Sequence, residues 1–67
     1  MMRTRLTPAQ QLASALAYYQ REHDELLLLR RAGASYRQLA VQRAAVNDAW
    51  AEVERLRALV AHERAPV

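Results

Sequence analysis

The sequence predicts an all-α fold, an antiparallel helical hairpin with long helices over about residues 8–32 and 35–63. Three observations lead there. Two helix-start signatures, "TPAQ" at Thr7–Gln10 and "SYRQ" at Ser35–Gln38, each precede a long stretch without an interior breaker. The only glycine, Gly33, falls between those stretches. Apolar residues recur along both at helical spacing.

The first element opens with Thr7 as N-cap, Pro8 at the first helical position and Gln10 completing a capping box. From there to Ala32 nothing breaks a helix. Leu12, Leu16, Tyr19, His23 and Leu26 follow alternating steps of four and three, which draws one continuous stripe. Leu26, Leu27, Leu28 and Leu29 cannot all share that stripe, because successive helical residues lie about 100° apart. Something besides the second helix is therefore expected to cover part of this run.

Arg30 and Arg31 suit the negative end of a helix, and Gly33 suits a left-handed position just past it. Ser35 then caps the second element, with Gln38 three residues on. Leu39, Val46, Val53 and Val60 recur every seven residues, Ala49 and Leu56 fall between them, and Trp50 flanks the seam. A continuous helix here would be about 42 Å long. A break near residues 43–48 would instead give a three-helix unit. Residues 1–67 read as a single small domain, with 1–6 and 64–67 expected to fray.

At 67 residues the chain is near the lower limit for a self-sufficient core, and it has no phenylalanine and one tryptophan. Many of its apolar residues are alanine, so a partner or a second copy is expected to complete the core. The absence of cysteine excludes disulfides and cysteine-based zinc sites, which fits a cytoplasmic location. The longest apolar run, Leu26–Leu29, is too short to span a bilayer, and the basic start is not followed by the apolar stretch of a signal peptide. The charges do not sort into one basic face opposite an apolar one, so no membrane partner is expected.

The net charge of +3 rests entirely on arginine. GC-rich coding bias is the simplest cause; the functional alternative is a preference for bidentate contacts to phosphate or carboxylate. Arg30, Arg31 and Arg37 gather at the bend. Arg37 opposes the dipole of its own helix, which suits a phosphate or an acidic partner group there. Tyr19 belongs with the core stripe, and Trp50 is a core or partner anchor. Glu52/Arg55 and Glu54/Arg57 have the spacing of surface ion pairs. His23, Asp24, His62 and Glu63 are the only candidates for metal or acid–base chemistry, and a hairpin keeps the two histidines apart. No catalysis, cofactor, metal or small-molecule substrate is expected.

The segment "LLRRAGASYRQLA", Leu28–Ala40, resembles the helix-turn-helix family, including the promoter-reading domain of bacterial sigma factors. In that resemblance Ser35 caps the motif's first helix, Leu39 faces the core and Ala40 takes the small position where two helices cross. It implies a DNA-binding regulator of transcription, acting as a dimer, with Asn47 capping a recognition helix. Arg30, Arg31 and Arg37 would anchor phosphates, and residues near Asn47 and Arg55 would meet bases. The other reading is a protein–protein interaction module, self-associating or docking on a larger protein. Its surface would use Leu26, Leu27, Leu28, Leu29, Trp50 and Val53. The two readings part at Arg43–Asp48, where the first needs a turn and the second a continuous helix.

Overall fold

The computed structural model describes residues 5–64, which form two helices, α1 (Pro8–Arg31) and α2 (Tyr36–Arg64). They pack against each other as an antiparallel hairpin. The expected tail residues 1–4 and 65–67 lie outside the described residues. Arg64, placed in a tail by its sequence position, closes α2.

Both helix starts are capped as their signatures require. The Thr7 N–H donates to Gln10 Oε1 at 2.8 Å, and the Gln10 N–H donates to Thr7 Oγ1 at 3.2 Å. Ser35 and Gln38 repeat the exchange at 3.0 and 3.2 Å. Each box satisfies two backbone donors that the helix itself leaves unpaired.

The bend is a Schellman motif. The Ala34 N–H donates to the Leu29 carbonyl at 3.0 Å, and the Gly33 N–H to the Arg30 carbonyl at 3.2 Å. Gly33 takes φ +73, the left-handed region in which an L side chain is strained. A Cβ there would meet no atom within 4 Å, so the constraint comes from the backbone alone.

The helix α2 runs unbroken through Arg43–Asp48, and the three-helix alternative is corrected accordingly. The physical reason is local: the segment has no glycine or proline, and its alanines are the best helix formers. Arg43 is exposed, so its charge stays in water rather than in the seam. Asn47 sits mid-helix on the surface and caps no third helix.

One seam holds the hairpin together. Val46, Ala49, Val53 and Leu56 of α2 are its buried residues, with Val53 fully covered at 0 % exposure. From α1, Leu12, Leu16, Tyr19, His23 and Leu26 reach the seam half-buried, and α1 has no fully buried residue. The molecule measures 50 × 33 × 15 Å, a single layer of helices.

Two substitutions test this construction. Leu56→Ala is expected to destabilise by about 2–5 kcal/mol, because it hollows a seam with few other buried side chains. Gly33→Ala should cost about 1–2 kcal/mol through backbone strain, and Gly33→Asn less. Urea unfolding at one fixed protein concentration measures both; a Gly33→Ala variant as stable as the parent would show that the left-handed bend is not required.

Candidate interaction faces

A single layer of two helices has two broad faces and two edges. Residues seven apart fall nearly in line on a helix. Tyr36, Arg43, Trp50, Arg57 and Arg64 therefore form one row along α2, beside its buried seam. Gln38, Ala45, Glu52 and Leu59 form the row on the other side of that seam.

Two sets of contacts fix how α1 lies alongside. The ring centroids of Trp50 and Tyr19 are 5.0 Å apart, tilted at 52°. Near the bend, Gln42 Nε2 donates to both the Glu22 carbonyl and Glu22 Oε2, each at 2.8 Å. With this register, Leu16, His23 and Leu27 flank the seam on the Trp50 side, whereas Tyr18, Glu22 and Glu25 flank it on the Glu52 side.

The Trp50 side is an arginine face. The Arg57 guanidinium lies over the Trp50 ring, 5.4 Å from its centroid, a cation–π contact that spreads both side chains along the surface. Arg57 also approaches Glu54 at 3.8 Å, too far for a hydrogen bond. Trp50 keeps 39 % of its surface exposed, and Tyr36, at 83 %, stands almost free of the hairpin. Leu27 adds an exposed apolar side chain from α1.

The opposite side is a carboxylate face, carrying Glu22, Glu25, Asp48 and Glu52 among the exposed apolar groups Tyr18, Val41 and Leu59. Arg55 reaches Glu52 with two donors: its Nε to Oε2 at 3.0 Å and its Nη2 to Oε1. That hydrogen bond, before the charge itself, holds the Glu52 carboxyl below the ordinary glutamate range and raises Arg55 in turn. Both groups are on the surface, so the pair adds little to stability.

On the outer edge of α1, Asp24, Leu27, Leu28 and Arg31 line a shallow depression of about 300 Å³. Leu28, 57 % exposed, is its apolar centre.

The five residues expected to hold nucleic acid or an acidic partner do not converge. Arg30 and Arg31 end α1, and Arg37 lies in the first turn of α2. Arg55 falls on the same line of α2 as Arg37 but about 27 Å away, and Glu52 engages it. Asn47 points about 80° away from that line.

The expected partner interface divides. Leu27, Leu28 and Trp50 face outward, Leu26 and Leu29 are half-buried, and Val53 is the centre of the hairpin's own core. Val53 is therefore unavailable to a partner while the hairpin holds. Sequence reasoning passed over Val41 and Leu59 on one face, and the alternation of aromatic and arginine side chains on the other. The seven-residue spacing from Tyr36 to Arg64 was the signal for the second.

No buried side-chain polar atom lacks a partner, and no group of three His, Asp or Glu could hold a metal ion, among the described residues. No described helix is long and apolar enough to cross a membrane. The chain matches no protein-family model, no curated protein and no solved structure.

The Glu52–Arg55 bond has a direct readout. Side-chain NMR titration should find Glu52 losing its proton below the ordinary glutamate range, and Arg55→Ala should return it to that range. Because the folded value is the depressed one, any stabilisation from the pair is present above the ordinary glutamate pKa. It is lost as pH falls through the folded value. An unchanged Glu52 titration in Arg55→Ala would remove this cause.

Proposed function

We propose that this chain is a helical-hairpin interaction module, which completes its core by associating through apolar side chains left outside the hairpin. One observation carries the reading: two helices of 24 and 29 residues share a single seam in which four residues are buried. Helices draw most of their stability from packing an apolar face against a neighbour rather than from propensity. Each helix here has one neighbour, and side chains as large as Leu28, Trp50 and Val41 remain in contact with water.

The helix-turn-helix resemblance implies a turn and a separate recognition helix, and a continuous α2 offers neither. DNA binding is therefore not the function proposed. An interaction surface needs no such break. It draws instead on the exposed leucine, tyrosine and tryptophan side chains, and aromatic residues are common anchors of protein interfaces.

The reading is tested by sedimentation equilibrium of the whole chain over a hundredfold range of concentration. A mass above the monomer that grows with concentration is expected, and Leu27→Glu with Val41→Glu should weaken association at least about tenfold, since each buries a charge at the contact. Association unaffected by both substitutions would contradict it, as would a wild-type chain that remains monomeric.

A further inference from the structure

We infer that copies of this chain stack head-to-tail, the arginine face of one hairpin lying on the carboxylate face of the next. The inference rests on the association proposed above and names its geometry. Its ground is the separation of charge across a molecule one layer thick. Arg43, Arg57 and Arg64 share one side of α2, where Glu54 is the nearest acid. Glu22, Glu25, Asp48 and Glu52 occupy the other side, with Arg37 near the bend and with Arg55, which engages Glu52; Gln42 holds Glu22.

This arrangement selects among the ways two copies can meet. Pairing carboxylate face with carboxylate face sets four acids of one copy against the same four of the other. Pairing arginine face with arginine face, with α2 antiparallel to its copy about Trp50, brings Arg43 of each near Arg57 of the other. Unlike faces alone bring opposite charges together. Each such pair contributes about 1 kcal/mol at 4 Å in water. The charges thus choose the partner face, and the apolar groups on both faces supply the affinity. Trp50, Tyr36 and Leu27 lie on one face, and Tyr18, Val41 and Leu59 on the other.

An interface that joins two different surfaces does not close on itself at two copies; it continues to a ring or a filament.

The test uses two face-specific variants of the full chain: Arg43→Glu with Arg57→Glu on one face, and Glu25→Arg with Asp48→Arg on the other. All four positions are exposed, and circular dichroism verifies that each variant remains helical. Should the first lose helix, Arg43→Gln with Arg57→Gln replaces it. In sedimentation at low salt, the wild type is expected to grow past dimer mass as concentration rises. Each variant alone should remain monomeric. An equimolar mixture of the two charge-reversed variants should again grow past the dimer, because their reversed faces complement each other as the native faces do; the Gln variant mixed with the second should stop at a dimer. In 1 M salt, where the Debye length is about 3 Å, the wild-type mass should fall. A wild type that reaches dimer mass and stops overturns head-to-tail stacking while leaving the proposed association standing. So does a charge-reversed mixture that stays monomeric, or a wild-type mass indifferent to salt. A wild type that is monomeric at every concentration overturns both.

Discussion

Each helix of this molecule has one neighbour, and the rest of the structure depends on that constraint. A helix packed on one side can cover about one apolar stripe. The stripe of α2 is buried from Val46 to Leu56 and half-buried at Leu39 and Val60, whereas the corresponding stripe of α1 is half-covered throughout. Every other apolar side chain must then face water or another molecule. The four-leucine run shows the consequence within one turn: Leu26 and Leu29 turn toward α2, and Leu27 and Leu28 turn away.

The bend sets the register from which the two faces arise. Gly33 reverses the chain through a left-handed residue, and Ser35 restarts it with a capped helix two positions later. Such a short connection leaves little freedom to slide α2 along α1. Tyr19 consequently lies beside Trp50, and Glu22 lies within reach of Gln42. With that alignment fixed, the row from Tyr36 to Arg64 places Arg43, Arg57 and Arg64 on one broad side, while Glu22 and Glu25 of α1 and Asp48 and Glu52 of α2 fall on the other. A charge of +3 spread over the whole chain conceals this polarity, because it reflects only the sum of the two faces.

The fold was legible where local chemistry decides it. Capping boxes, the lone glycine and the stripes of Leu12–Leu26 and Leu39–Val60 located both helices to within a residue or two and identified the seam. The segment at Arg43–Asp48 was ambiguous because the helix-turn-helix resemblance, which ends at Ala40, requires a turn there, whereas the heptad pattern continues through it. The solvent exposure of Arg43, which lets the helix continue, depends on which side of α2 meets α1. The site was less legible for a related reason. Periodicity marks Val53 as an apolar anchor but does not say whether the neighbour it buries against belongs to the same chain. Tyr18 and Val41 lie off both stripes, and only the register between the helices places them on one surface.

If the hairpin is half of a larger packed structure, its folding and its association are one equilibrium, and stability must depend on how many copies are present. The most direct measurement is the thermal unfolding midpoint of the full chain, followed by circular dichroism across a hundredfold range of protein concentration. The account expects the midpoint to rise steadily with concentration. A midpoint that stays constant over that range would mean that the two-helix layer is stable alone, and would contradict it.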